Sequence, residues 1–511
     1  MQQGSEVVAV RCAKLSLFSY MKSDIIIIGG GASGLMAAYG AASTLVTNSS
    51  DASVLLLEKM PRPGRKIMIT GKGRCNFTNV KDWNEFSAHI RSKSNFVKPA
   101  FYNLTPAKLV EFFESAGMPA VVERGDRAYP ASYHSTDVID ALVRACHGVG
   151  VKIENEAEVA SCHYEPAKQM NESAFTVSTT DGRSYTCRKL IIATGGLSYP
   201  NTGSTGDGYR FAQDAGHSLT TLFPSLTALV PRGYKQTTPD NQALTENRLV
   251  KTHQTTSPNS LIISSSPTEM PHHIDRSVPL SELGEKFQNI HLKNVGVQLV
   301  IEGSVADSEF GDIDFTDGGI EGPIGFQISR KAVKALVNGS RVKLSVDLKS
   351  GVSLTELTSR VKDLWAQIDK DPRSRGVREK EKCRILLGKL MPWELIPAFT
   401  ACNPGIITLE RKGRTDTKVW INLPTIAKCL KEWIFDIEGY VGYERAVVTA
   451  GGVSTDEVIA KTLESRISPG MYFCGEVLDI DADTGGYNLH CAFATGLLAG
   501  QSAAKSLLTP V

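Results

Sequence analysis

Asp24-Ile-Ile-Ile-Ile-Gly-Gly-Gly-Ala-Ser-Gly34 is the stretch on which the fold of this chain turns. Its four isoleucines make the short apolar run expected of a strand buried on both faces of a parallel sheet. Gly29, Gly31 and Gly34 then satisfy G-x-G-x-x-G, and a small-residue helix is expected over residues 35–42. Gly29 permits the tight turn, and Gly31, beside Ala32 and Ser33, lets a pyrophosphate reach the backbone. Gly34 lets the helix pack on the sheet. The helix N-terminus would present free N–H groups and its positive dipole end to the phosphates. A second strand is read at residues 54–57. Glu58, at its carboxyl end and 24 residues after Gly34, is placed to accept hydrogen bonds from a ribose. G-x-G-x-x-G alone also describes an ordinary glycine-rich turn. A strand before it, a helix after it and an acid at this distance favour a dinucleotide site, without choosing between NAD and FAD.

Beyond Glu58 and Lys59 runs Gly64-Arg-Lys-Ile-Met-Ile-Thr-Gly-Lys-Gly-Arg-Cys-Asn-Phe-Thr-Asn79, with four cations, three glycines and no carboxylate. Such a loop suits an anion. Arg65 and Lys66 are assigned to the phosphate side of a cofactor, and Arg74, Cys75 and Asn76 to its ring side. The plainer alternatives are a solvated basic loop and, for Cys75, a buried inert thiol.

Composition sets wider bounds. At 511 residues and 41% hydrophobic, the chain can bury a large core and divide into several domains. A net charge of +2 neither suggests nor excludes nucleic acid. Ten cysteines without a C-x-x-C pair look like reduced thiols, so the expected compartment is the cytoplasm. No apolar run reaches the length of a membrane span. Residues 1–21 read as a disordered leader ahead of the first strand.

Two later segments point to FAD. Lys189-Leu-Ile-Ile-Ala-Thr-Gly-Gly196 is a buried strand entering a turn at Thr194, Gly195 and Gly196, and Gly470-Met-Tyr-Phe-Cys-Gly-Glu476 is another strand, ending at Gly475 and Glu476. Both resemble the strands that complete an FAD site in flavoproteins of the two-dinucleotide-binding type. Residues 477–490 follow, then a small-residue helix expected over 492–507. Asp479, Asp481 and Asp483 have the spacing that opens a calcium loop. The sixth and twelfth positions are Thr484 and His490 rather than Gly and Glu, so no metal is expected. Cofactor or substrate contacts and a solvated acidic turn both remain open for these carboxylates.

With Gly73-Arg-Cys-Asn-Phe-Thr-Asn79, Gly485-Gly-Tyr-Asn-Leu489, Leu197-Ser-Tyr-Pro-Asn-Thr-Gly203 and Gly319-Ile-Glu-Gly-Pro-Ile324 in view, the chain resembles the HI0933-like flavoproteins, also called BaiN-like or aminoacetone-oxidase-like. The likeness covers about residues 22–505. It implies an α/β fold: a Rossmann-like FAD-binding domain assembled from residues 22–220 and 441–511, with an inserted β-rich domain and a small helical domain. The β-rich insertion is placed at 221–350, with a flexible segment at 235–276, and the helical domain and return segment at 351–440. Short strand-like runs at 228–231, 295–301 and 341–346 fit the former. Helical spacing at 353–368, 379–395 and 423–433 fits the latter. Lys59, Val159, Gly485, Gly486, Tyr487, Asn488 and Leu489 complete the implied cofactor contacts.

The resemblance implies an FAD-dependent oxidoreductase acting on a small molecule, reducing an activated C=C with NAD(P)H or oxidising a small amine. Tyr487, His490 and Tyr199 are the candidates for proton transfer, each equally readable as a satisfied core residue. No second G-x-G-x-x-G follows a strand, so NAD(P)H would have to dock directly. A flavoprotein that reduces the uracil ring of RNA is the alternative, for which basic residues at 235–251 and 373–384 leave room. A flavin-binding protein without turnover is a third reading. Substrate and oligomeric state are not legible.

Overall fold

The structure, a computed structural model, describes residues 21–165, 174–236, 270–412 and 416–508. At its centre lies a five-stranded sheet in the order Met471–Phe473, Lys189–Ile192, Ile25–Ile28, Val54–Leu57, Lys152–Glu154. All four pairings are parallel. Ile25, Ile26 and Ile27 are wholly buried in the middle strand, the outcome expected of an apolar run sandwiched between layers. Because every strand points the same way, their carboxyl ends form one edge, where open α/β sheets bind ligands.

One face of the sheet is covered by two helices, Ala32–Thr47 and Gly485–Leu508. They cross closely because of their small residues: a Cβ on Gly496 would run into the Ser33 carbonyl oxygen, and one on Gly500 into that of Ala37. The C-terminal helix begins at Gly485, seven residues before the position expected from its small-residue pattern. Gly-Gly-Tyr-Asn-Leu-His is thus its first turns rather than a loop. A second sheet, Val159–Tyr164, Phe175–Thr179 and Ser184–Cys187, is antiparallel, and Met21–Lys22 adds to its edge in parallel. Met21 is therefore part of a strand, while the rest of the expected leader, residues 1–20, lies outside the described residues.

The other half of the molecule is a closed barrel of six strands, Leu229–Pro231, His291–Ile301, Ser304–Thr316, Gly319–Glu321, Val342–Asp347 and Trp433–Tyr440. Its core is rich in rings: Phe287 stacks on Phe315 at 4.5 Å and Trp433 packs on Phe435 at 4.8 Å. Helices Leu354–Lys370, Glu379–Gly388, Ile396–Cys402 and Leu423–Lys431 are inserted between the last two barrel strands. The helix read over 379–395 stops at Gly388, since Pro392 disfavours helical geometry in the residue before it and has no N–H to give. Most of the segment 235–276 lies outside the described residues. The two halves are joined where Phe223–Ser225 pairs antiparallel with Val448–Ala450. Among the described residues, no helix is long and apolar enough to cross a membrane.

Candidate cofactor site

The three glycines of the first turn are held by three different constraints. Gly29 has φ +103°, and a Cβ there would lie 2.6 Å from the Ala193 carbonyl oxygen. A Cβ on Gly34 would overlap the Gly29 carbonyl oxygen, so this glycine sets the approach of helix to strand. At Gly31 a Cβ would meet nothing within 4 Å. Gly31 faces the open cleft and caps the helix with no side-chain hydrogen bond, leaving the first N–H groups free for an anion.

This cleft, with about 1280 Å³ of empty space including its open mouth, follows the carboxyl edge of the parallel sheet. At one end sits Glu58, whose Oε2 accepts from Gly30 N–H at 2.6 Å and whose Oε1 accepts from Met60 N–H at 2.7 Å. Burial raises its carboxyl above the usual range against the lowering effect of those bonds. Beside it, Lys59 Nζ donates to Asp207 at 2.6 Å and to Thr205 at 2.5 Å. Ala157 and Val159 add an apolar wall. A buried carboxylate at the end of the second strand, next to an apolar slot, suits adenosine.

Midway, Thr194, Gly195 and Gly475 line the cleft with Arg65 and Lys66. Lys66 Nζ donates to Glu476 Oε2 at 2.6 Å and to Ser198 Oγ at 2.5 Å. Glu476 Oε1 accepts in turn from Ser198 Oγ at 2.6 Å and from Thr449 N–H at 2.8 Å. Gly196 stands behind this network, where a Cβ would lie 2.9 Å from Glu476. Ser198 and Thr449 are the members that sequence reasoning missed. Ser198 sits inside a quoted family stretch, but nothing local marks either as a partner of Glu476. The far end is walled by Val447, Val448, Ile480 and Leu489, with Gly485 open to it, and suits an apolar ring system beside a helix N-terminus. The residues present therefore fit FAD, with Gly31, Glu58 and the Lys66–Glu476 pair as polar holdfasts.

Of the other sequence candidates, Arg74, Cys75, Asn76, Asp479 and Gly486 do not line the cleft. Arg74 pairs with Glu123 at 2.6 Å and its guanidinium lies over Tyr129 and Tyr133, at 4.6 and 4.5 Å. It braces the loop rather than lining the site, because Glu123 and the two tyrosine rings draw its guanidinium toward the small sheet. Cys75 is fully buried at φ 56°, and burial pushes its thiol up to about 12. The Asn76 amide is satisfied with its nitrogen on the carbonyls of Thr78, at 2.6 Å, and Ala128, at 3.1 Å. Gly486 packs against it, and a Cβ there would lie 2.6 Å from the Asn79 amide nitrogen. Asn488 lines the cleft, but its amide nitrogen holds the carbonyls of Ala482 and Thr484, at 2.8 and 2.9 Å. Asp479 is largely buried, and its carboxyl is raised chiefly by that burial.

The three proton-transfer candidates are not together. His490 is wholly buried, bonded to Thr78 Oγ1 at 2.9 Å and enclosed by Phe86 and Phe101. Burial lowers it to about 3, which keeps it neutral. Tyr487 stacks on His89 at 4.2 Å, its phenol raised to about 12 by burial. Tyr199 is half-buried at φ 53°, beside Ser198, and its N–H donates to the Tyr443 carbonyl at 2.8 Å. Its phenol is raised by burial, with Arg445 and Glu321 of the barrel side nearby.

A parallel sheet of this order carrying these groups along its carboxyl edge is the cofactor half of a FAD-dependent oxidoreductase. The chain belongs to the HI0933-like family, whose Rossmann-domain model matches residues 23–502. It is 30% identical over 479 residues to a 3-dehydro-bile acid delta(4,6)-reductase of Clostridium scindens, covering 94% of this chain and 98% of that protein. It is 26% identical over 486 residues to a ribosomal RNA dihydrouridine synthase of Escherichia coli, covering 94% and 99%. Among solved structures, the 3-ketosteroid delta1-dehydrogenase of Sterolibacterium denitrificans is 13% identical, with a TM-score of 0.44 over 95% of this chain and 100% of that one.

Proposed function

We propose that this enzyme reduces a C=C bond conjugated to a carbonyl in a small molecule, with NAD(P)H as the electron source. The observation that carries the reading is the similarity over 94% of the chain to a delta(4,6)-reductase, together with a cleft that ends in apolar walls at the junction with the barrel. FAD, when bound and reduced by NAD(P)H, would supply hydride chemistry toward the carbon β to the carbonyl. The protein's part is to hold the cofactor, exclude water and deliver the proton to the α carbon.

Gly31 and the first turn of its helix would hold the pyrophosphate, Glu58 the ribose, and Lys66 with Glu476 the middle of the cofactor. Tyr199 is the proton donor in this reading. Its phenol keeps its proton at neutral pH, it follows Ser198 in the chain with Arg445 and Glu321 as charged neighbours, and its left-handed backbone is a strained arrangement of the sort found at functional sites. Val447, Val448 and Ile480, which line the cleft, would shield the reacting carbons from water.

The test is anaerobic mixing of the FAD-loaded protein with NADH or NADPH, followed by addition of a steroidal enone. Bleaching of the flavin by one nucleotide and its return on adding the enone are expected. A flavin bleached by small amines but by neither nucleotide would make the enzyme an oxidase instead.

The similarity to ribosomal RNA dihydrouridine synthases favours a second reading with the same chemistry, because the uracil C5=C6 bond is also conjugated to a carbonyl. Return of the bleached flavin on adding ribosomal RNA, and not on adding enones, would decide for it.

A further inference from the structure

The segment from Glu476 to Leu489 carries Glu476, Ile480, Gly485 and Leu489 into the cleft, yet few of its residues lie in regular structure until the helix begins. Backbone bonds tie it to the cofactor half, from Asp479 N–H to the Val453 carbonyl and from Asp483 N–H to the His89 carbonyl, and Asn488 holds Ala482. Two of its alternate carboxylates, Asp481 and Asp483, add side-chain ties. Asp483 takes Arg91 through Nε and Nη2 and accepts a bond from His89 at 3.0 Å, both within the cofactor half. Asp481 is different. It is fully buried, and its partner comes from the barrel half: Arg330, on helix Pro323–Val337, reaches Oδ2 with Nε at 2.5 Å and Oδ1 with Nη2 at 2.9 Å. Its backbone is held as well, since the Asp481 carbonyl accepts from Arg91 N–H at 2.9 Å.

The surroundings of the pair lie at the joint between the halves. Ser225, in the strand that links them, reaches Asp481 Oδ2 at 3.4 Å, and Phe223 of the same strand lies under the Arg330 guanidinium at 5.7 Å. Ser329, the neighbour of Arg330, accepts from Thr227 N–H at 3.1 Å. A two-bond guanidinium–carboxylate fork fixes orientation as well as distance, which a single ammonium contact does not. A carboxylate sealed from water also cannot relax toward solvent if its cation is removed.

We infer that Arg330 is a positioning residue by which the barrel sets the Glu476–Leu489 segment, through Asp481, against the ring end of the cofactor. The inference rests on the FAD reading of the cleft. Arg330 is not among the residues that line the cleft, and its ion pair is with Asp481, so its effect passes through Asp481 and the backbone on either side of it.

The experiment compares wild type, Arg330→Met and Arg330→Lys in the full chain. It measures the FAD dissociation constant by fluorescence titration, the flavin midpoint potential by equilibration with a reference dye, and the thermal midpoint of the FAD-free protein. Arg330→Met is expected to weaken FAD about tenfold and to lower the midpoint potential, since the segment leading to the Gly485 helix N-terminus loses its register against the ring. Arg330→Lys, which keeps the charge and loses the fork, is expected to shift both readouts less and in the same direction. If Arg330→Met does not fold, Arg330→Lys carries the test. A variant whose thermal midpoint falls while FAD affinity and potential stay at wild-type values would show a purely structural tie and overturn the inference. Wild-type protein that binds no FAD would instead remove the cofactor reading on which it rests.

Discussion

Lys66 Nζ lies 2.6 Å from Glu476 Oε2, and both side chains, from opposite ends of the chain, face the same cleft. The pair lies midway along the candidate cofactor cleft, with Ser198 bonded to both partners. Charge-assisted bonds of this kind between partly shielded groups contribute about 1.5–3 kcal/mol. Lys66→Met should therefore weaken FAD by at least about tenfold, equivalent to about 1.4 kcal/mol. Glu476→Gln, which keeps an acceptor for the Thr449 N–H, should cost less. A double-mutant cycle on FAD affinity measures the coupling, and independent effects at the two positions would remove the pair from the site.

Gly31 and Gly34, three residues apart, should respond oppositely to the same added methyl. At Gly31 it enters open cleft, so Gly31→Ala should fold with a loss of at most about 1 kcal/mol from a poorer helix cap and should bind FAD at least about tenfold more weakly. At Gly34 it meets the Gly29 carbonyl, so Gly34→Ala should lose about 1–3 kcal/mol or more of stability before any cofactor is added. Urea unfolding of the FAD-free proteins separates the two.

His490 supplies a pH dependence. Its folded pKa of about 3 lies below the ordinary 6.5, so the folded state holds it neutral while the unfolded chain takes up a proton. Its stabilising contribution is complete above pH 6.5 and is lost as pH falls from there toward 3. At pH 5 the loss from this group is about 2 kcal/mol. His490→Leu should be less stable than wild type at pH 7 through the loss of the Thr78 bond, and should lose about 2 kcal/mol less on going from pH 7 to pH 5. Equal losses of unfolding free energy between pH 7 and pH 5 in the two proteins, read from urea titrations, would count against the assignment.

Cys75, within the family motif, should be chemically silent. With its thiol buried and raised to about 12, it should resist a thiol-labelling reagent in the native protein and react on unfolding. Cys75→Ala should keep the flavin spectrum and turnover. Loss of turnover with FAD still bound would give this thiol a chemical role.

Most of the cofactor half was legible along the chain. The isoleucine run, the glycine spacing and Glu58 are local signals, because a tight turn, a helix start and a buried strand each depend on a few consecutive residues. Family motifs extended this to Thr194, Gly195, Glu476 and Leu489, all of which line the cleft. Arg74, Cys75 and Asn76 were less legible. Their residue types suit an anion or a flavin, but whether a side chain turns toward the cleft or toward the Ala120–Glu123 and Arg127–Pro130 strands depends on a sheet that pairs later in the chain.

The sequence by itself determined the dinucleotide-binding class, the family and the glycines of the first turn, since each is written in short-range spacing. Only the tertiary structure decided which charges are used for what. Glu476 meets Lys66 across 410 positions, and Asp481 meets Arg330 across 151. It also decided that His490 is sealed in a ring cluster and that Trp433–Tyr440 closes the barrel after a helical insertion. Partners so far apart are joined by the packing of whole elements, and no local spacing records which element will lie beside which.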